Sequence, residues 1–332
     1  MAEQNYDLTI IGGGPVGLFA AFYAGLQELH TQVLESLPDV GGQVSALYPE
    51  KKILDVAGFS GISGQELVDR LREQMTLFPV TVKTSQTVAN ISGQLGDFTI
   101  TTNGGVTHSK AILITTGNGA FTPRKLAVEN AASFENEHLW YFLPKLAHFA
   151  NHDVMVAGGG DAAIDIALMI EPVAKHVYLM HRRNEFRALP HSVTSLNTSS
   201  VEQMTPYLAQ GLAATSDGRL DVDLKEMKTD HHRTITVDDL VVNFGVISDH
   251  AVFENWELQF EQKHQQIAVD STMQTSVAGV YGAGDAINYS GKVALIATGF
   301  GEAATAVHSA AFAIDPHHHG PVHSTSVHLP DK

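Results

Sequence analysis

Leu8-Thr9-Ile10-Ile11-Gly12-Gly13-Gly14-Pro15-Val16-Gly17 is the stretch that decides the fold of this chain. An apolar, β-favouring run enters a glycine turn that opens a helix, and a second apolar run, Thr31-Gln32-Val33-Leu34, ends at Glu35. Glycines at such a strand-to-helix turn let backbone N–H groups approach a pyrophosphate at the helix N-terminus, while the end of the second strand faces the ribose of an adenosine. A carboxylate there accepts hydrogen bonds from ribose hydroxyls and repels a 2′-phosphate.

The pattern returns later with the opposite charge. Asp153-Val154-Met155-Val156-Ala157 leads into Gly158-Gly159-Gly160-Asp161-Ala162-Ala163, and the next run, His176-Val177-Tyr178-Leu179-Met180, ends in His181-Arg182-Arg183, with Arg187 close behind. Two guanidinium groups at that position grip a 2′-phosphate. One glycine turn alone is weak evidence, because any tight strand-to-helix turn takes the same residues. Here both turns sit between a predicted strand and a predicted helix, and both carry a charged ribose-position residue about 20 residues on. FAD at the first turn (Gly12, Gly14, Pro15, Val16, Glu35) and NADPH at the second (Gly158, Gly160, Asp161, Ala162, Arg182, Arg183, Arg187) is the economical reading.

Composition narrows the field. The 332 residues suffice for two domains of ordinary size. A net charge of −16 argues against non-specific binding to nucleic acid or to an anionic membrane, so phosphates must be met by local basic clusters. Cysteine is absent, which excludes disulfides, thiolate metal sites and any thiol relay. No charged-then-apolar leader precedes the first strand, and cytoplasmic residence is the default expectation. The most apolar stretch, Val293 to Ile314, holds Glu302 and His308 and reads as a buried or interface helix rather than a membrane span. His317-His318-His319 reads as a solvated run, and no metal site is expected.

Between the two turns, Leu67, Leu71 and Met75 mark an amphipathic helix over 64–77. From Pro79 to Thr116, short alternating segments with turn signals at Asn90-Ile91-Ser92-Gly93 and Asn103-Gly104-Gly105 predict a small antiparallel meander. Gly- and Pro-bearing residues 117–123 and the stretch Asn243-Phe244-Gly245 read as two crossings. The expected organisation is α/β, with two Rossmann-like domains. One is a discontinuous FAD domain, 1–117 with 246–332, and the other an NADPH domain, 118–245. Near the end, Gly279-Val280-Tyr281-Gly282-Ala283-Gly284-Asp285 runs from strand to turn to a carboxylate suited to a polyol such as a flavin ribityl chain, with a helix expected from about Lys292.

Several further segments carry a resemblance: Glu35-Ser36-Leu37-Pro38, Gly41-Gly42-Gln43, Ala46-Leu47-Tyr48-Pro49-Glu50-Lys51, Asp55-Val56-Ala57-Gly58-Phe59, Gly117-Asn118-Gly119-Ala120-Phe121, His181-Arg182-Arg183 and His323-Ser324-Thr325-Ser326. With the two glycine turns, and in this order over nearly the whole chain, they resemble the thioredoxin-reductase-like ferredoxin–NADP(+) reductases. The resemblance implies FAD contacts at Glu35, Gln43, Tyr48, Val88, Phe121, Asp285 and Thr325, with Tyr48 and His323 stacked on opposite faces of the isoalloxazine ring. Thioredoxin reductases share the layout but use a cysteine pair that this chain lacks.

The activity so implied is electron transfer between NADPH and ferredoxin or flavodoxin, in a homodimer, with no side-chain acid or base needed for the hydride step. The two crossings imply that the nicotinamide reaches the flavin only after a domain rotation. Lys51, Lys52, Arg124 and Lys125 are candidates for a carrier-landing patch on an otherwise acidic protein, and equally for ordinary surface residues. Two rivals stand beside this reading: a flavin reductase or diaphorase acting on quinones, oxygen or ferric chelates, and a flavin redox sensor that does not turn over.

Overall fold

The computed structural model describes residues 5–249, 253 and 255–318. The chain folds into two compact units, 1–121 with 248–332, and 122–247; the crossings read from the sequence lay at 117/118 and 245/246.

The first unit is built on a seven-stranded sheet whose order runs Val80–Lys83, Thr31–Leu34, Asn5–Ile11, Gly105–Ile114, Asp97–Thr102, Val88–Gln94, with Val280–Gly282 also paired to Gly105–Ile114. Gly105–Ile114 organises it. From His108 to Ile114 it runs parallel to Asn5–Ile11 on one side. On the other side its first half pairs antiparallel with Asp97–Thr102, and Ile112–Ile114 pair in parallel with Val280–Gly282. Strands buried on both faces read as continuous apolar runs, and Leu8, Ile10, Ile112, Leu113 and Ile114 are each fully buried.

Helices Pro15–Leu26, Gly64–Met75 and Ile296–Ile314 belong to the same unit. Gly64–Met75 starts on a capping box, in which Ser63 Oγ accepts from the Glu66 N–H and the Glu66 carboxylate accepts from the Ser63 N–H, and it buries Leu67, Val68, Leu71 and Met75. Ile296–Ile314 begins four residues later than expected from Lys292, because Lys292 is drawn away into a buried ion pair described below.

The meander differs from expectation at one turn. Asn90–Gly93 lies within the strand Val88–Gln94, and the hairpin reverses at Leu95-Gly96 instead. Gly93 is needed for another reason: its φ is +101°, and a Cβ there would collide with the Asp97 carbonyl on the facing strand.

The second unit carries a parallel sheet in the order Leu139–Trp140, Asp239–Val242, Asp153–Ala157, His176–Met180, Glu202–Met204. Helix Asp161–Ile170 follows the glycine turn. A separate three-stranded antiparallel sheet, Tyr207–Ala214, Leu220–Glu226 and His232–Val237, was not anticipated from the sequence. Its alternation is visible in retrospect in Leu220, Val222 and Leu224, all fully buried, with Asp221, Asp223 and Lys225 between them.

Candidate functional site

All five parallel strands of the first unit end at one edge, and the expected residues collect there. Gly12 takes φ +107°, and a Cβ on it would stand 2.6 Å from the Thr115 carbonyl oxygen, so only glycine lets the chain leave its strand at this point. Gly14 is the N-cap residue of Pro15–Leu26, with Pro15 opening the helix and no side chain capping it. The first amides of that 12-residue helix therefore face outward for a phosphate, with the positive end of the helix behind them. A Cβ on Gly17 would meet the Gly12 carbonyl.

Glu35 is buried and held from three sides. Its Oε2 accepts from the Gly13 N–H at 2.7 Å, and its Oε1 accepts from the Leu37 N–H at 2.8 Å and from Ser36 Oγ at 3.2 Å. A carboxylate oxygen has two lone pairs, so Oε2 retains one for a ribose hydroxyl. Thr115 Oγ1 locks the turn by donating to the Gly12 carbonyl at 2.8 Å, whereas the buried Thr116 Oγ1 beside it has no hydrogen-bond partner among the described residues. Glycine-only clearance, uncapped amides, a fixed carboxylate and an orphaned hydroxyl fit the adenosine diphosphate portion of a dinucleotide such as FAD.

Asp285 reaches the same edge from the opposite end of the sequence. It sits in the short turn Gly284–Ala286, where Gly284 has φ +74°. Val16, in the first turn of Pro15–Leu26, packs so closely on this turn that a Cβ on Gly284 would lie 3.3 Å from its Cγ2 and one on Gly299 2.5 Å away. Beneath the turn is a buried network that sequence reading missed. Glu302 Oε2 accepts from the Gly284 N–H at 2.8 Å, Tyr289 OH donates to Glu302 Oε1 at 2.7 Å, and Lys292 Nζ lies 2.5 and 2.6 Å from the two carboxylate oxygens. Lys292 also donates to the Gly284 carbonyl at 3.0 Å. Burial, and then the Glu302 carboxylate, push the Tyr289 hydroxyl up to about 12. Glu302 was visible only as a charge inside an apolar stretch, and that was the available signal.

Gln43 and Tyr48 lie on and just after the short helix Gly42–Leu47. Tyr48 is half-buried, and its hydroxyl is raised above 10.0 by burial, then by the carboxylates of Asp285 and Asp55, so Tyr48 and Asp285 share one electrostatic environment. Val88 is buried at the head of Val88–Gln94. Phe121 lies in the strand Ala120–Pro123, though its side chain is outside the described residues; His323 and Thr325 lie outside them altogether.

In the second unit the corresponding turn is equally tight. A Cβ on Gly158 would meet the Asn243 carbonyl, and one on Gly159 would enter the His181 ring. Gly160 is the N-cap residue of Asp161–Ile170, and Ala162 is exposed in the first helical turn. The Asp161 carboxylate accepts from the Leu189 N–H at 2.9 Å and from Ser192 Oγ at 2.8 Å. That side chain thus ties down the following loop, and Asp161 offers the turn its backbone N–H.

The Arg187 N–H donates to the Gly159 carbonyl at 2.8 Å, which folds residues 182–187 back beside the glycines. Arg182, Arg183 and Arg187 are exposed, and no carboxylate pairs with them among the described residues. His181, stacked on Phe186 at 5.4 Å, is held below its usual 6.5 by burial and then by Arg182 and Arg183, and its buried Nε2 has no partner among the described residues. A neutral imidazole, free guanidinium groups and uncapped amides fit a 2′-phosphorylated dinucleotide. Of the four cations considered for a landing patch, Lys125 is already engaged, paired with Glu135 at 2.6 Å and set over the Tyr141 ring at 4.2 Å.

This architecture is that of a two-dinucleotide oxidoreductase: residues 6–310 match the pyridine nucleotide-disulphide oxidoreductase family, and the chain belongs to it. Within that family it groups with the ferredoxin–NADP reductases. It is 53% identical over 326 residues to the ferredoxin–NADP reductase of Lactiplantibacillus plantarum, covering 98% of each chain. It is 50% identical over 324 residues to ferredoxin–NADP reductase 2 of Bacillus licheniformis, covering 97% of each. Among solved structures it is similar to Lactococcus lactis thioredoxin reductase, with a TM-score of 0.76 and 25% identity over 93% of this chain and 99% of that one.

The Glu302–Lys292 pair generates a stability prediction. Side-chain exposures of 3% and 8% mean that removing one partner strands a buried charge. Lys292→Met should cost about 3–5 kcal/mol in denaturant unfolding. Adding Glu302→Gln, which removes the charge but keeps an acceptor for the Gly284 N–H, should recover part of that loss, and no recovery would contradict the buried-charge explanation.

Proposed function

We propose that this chain is an FAD-dependent ferredoxin–NADP(+) reductase that moves electrons between NADPH and ferredoxin or flavodoxin. The observation that carries the reading is the pair of glycine turns with opposite partners: a fixed carboxylate at Glu35 in one unit and unpaired arginines at 182, 183 and 187 in the other. FAD, when bound, supplies the exchange of a hydride pair for single electrons.

The chain's own residues do the holding. Gly12 and Pro15 shape the turn, the amides of Gly14, Val16 and the helix behind them receive the FAD pyrophosphate, Glu35 takes the adenosine ribose, and Asp285, fixed from below by Glu302 and Lys292, takes the ribityl hydroxyls. Gln43 and Val88 add contacts, Tyr48 and His323 cover the ring faces and exclude water, and Phe121 and Thr325 complete the site. Gly158 lets the turn pack tightly, Gly160, Asp161 and Ala162 present amides to the NADPH pyrophosphate, and Arg182, Arg183 and Arg187 select the 2′-phosphate.

The FAD-holding residues fall in 1–117 with 246–332, the NADPH-holding ones in 118–245, and a rotation at the crossings brings the nicotinamide to the flavin. The enzyme works in the cytoplasm as a homodimer, a state supported by the exposed apolar side chains of Val293, Leu295 and Phe312 on and before the last helix. Because the chain contains no cysteine, electrons leave directly to the carrier and not through a thiol pair.

Arg182→Ala/Arg183→Ala should raise KM for NADPH by about 100-fold, each charge-assisted contact being worth about 1.5–3 kcal/mol, while KM for NADH moves less than about twofold. Equal effects on both coenzymes would remove these arginines from the 2′-phosphate. The acceptor is tested by anaerobic NADPH titration of the flavin-loaded protein followed by addition of ferredoxin. Bleaching by NADPH and prompt reoxidation by ferredoxin are expected. Reoxidation by quinone or ferric chelate alone would make it a diaphorase, and absence of bleaching would make it a sensor.

A further inference from the structure

The second unit contains a cluster that the dinucleotide chemistry leaves unused. Asp239 opens the strand Asp239–Val242, next to Asp153–Ala157, and so lies at the N-terminal edge of the parallel sheet, with the glycine turn following Ala157 at the other edge. A five-residue strand separates the two edges by roughly 13 Å.

The Asp239 carboxylate is 2% exposed, and its ion-pair partners among the described residues are two imidazoles, His148 Nε2 at 2.9 Å from Oδ1 and His152 Nδ1 at 2.7 Å from Oδ2. A third group, Trp140 Nε1, donates to Oδ1 at 2.7 Å. No lysine or arginine pairs with this carboxylate among the described residues, and an imidazole carries a countercharge only when protonated. A buried carboxylate with no permanent cation beside it is costly.

From this geometry we propose that His148, His152 and Asp239 form a binding site for a divalent transition-metal ion of the zinc type. Two imidazole nitrogens and a carboxylate oxygen are the donors such ions prefer. The three ligand atoms already lie within 4.8 Å of one another. Tetrahedral coordination at about 2.1 Å places donors about 3.4 Å apart, a change within reach of side-chain rotation.

On binding, the ion replaces the ring protons that now face Asp239. Each imidazole turns its lone pair to the metal and carries one proton on its outer nitrogen: a neutral ring moves its proton there and a protonated ring releases the inner one to solvent, which reaches the His148 and His152 side chains at 34% and 37% exposure. Oδ2 is the metal-binding oxygen, and Oδ1 keeps the indole N–H of Trp140, the kind of outer partner that fixes a ligating carboxylate. Water fills the fourth position. The ion neutralises the buried charge and ties the 3₁₀ turn Leu146–Phe149 and residue 152 to the start of the strand Asp239–Val242.

The test is calorimetric titration of EDTA-stripped, flavin-loaded enzyme with Zn2+. One tight equivalent is expected in the wild type. His148→Gln and His152→Gln should each weaken it at least about tenfold while leaving the flavin spectrum unchanged. The tail variant His317→Gln/His318→Gln/His319→Gln should leave it intact. No tight equivalent in the wild type, or an equivalent lost in the tail variant and kept in the two site variants, would overturn the proposal. Should the site variants fail to fold, X-ray absorption of the zinc-loaded wild type decides: two imidazoles with oxygen ligands support the site, and any other imidazole count refutes it.

Discussion

A helix whose first amides are left without caps is the constraint on which both halves of this molecule depend. Neither Pro15–Leu26 nor Asp161–Ile170 has a side-chain cap at its N-terminus, although each begins beside a buried turn. Amides of this kind are left to water or to an anion, which the positive end of the helix favours. Glycines at 14 and 160 keep the approach open, and those at 12, 17, 158 and 159 let backbone carbonyls or the His181 ring pack without a Cβ in the way. The backbone thus offers the anion site, and side chains decide which anion is accepted.

Selection between two related anions is carried by a few charges set in different dielectric environments. Glu35 is buried and immobilised by three donors, so its negative charge stands at a fixed place. Arg182, Arg183 and Arg187 are exposed and unpaired among the described residues, free to close on a phosphate. The contrast makes chemical sense, because ribose hydroxyls need aligned acceptors whereas a dianionic phosphate is met from several directions. In a chain of net charge −16, leaving three neighbouring guanidinium groups unpaired is itself notable. It puts local positive potential where the protein as a whole would repel the ligand.

What was legible in the sequence follows from the range of the forces involved. The two glycine turns, the strands beside them and the helix Gly64–Met75 are set by residues within a few positions of one another, and they were readable. The hairpin at Leu95-Gly96 was misplaced because Asn90-Ile91-Ser92-Gly93 mimics a turn, while Gly93 answers instead to a close cross-strand approach. The antiparallel sheet of 207–237 was passed over although Leu220–Glu226 alternates buried and charged residues, while Tyr207–Ala214, rich in alanine and without charge, gives no such pattern. The Glu302–Lys292–Tyr289 support under Asp285 and the Asp239 cluster join side chains 10 to 99 positions apart, and only the folded chain assembles them.

The central claim, two dinucleotide turns told apart by their second-strand charges, is tested most directly by calorimetric titration of the flavin-loaded enzyme with 2′-phospho-ADP-ribose and with ADP-ribose. The account predicts one equivalent of the 2′-phosphorylated ligand bound far more tightly than its counterpart. Equal affinity for the two, with the flavin in place, would contradict it.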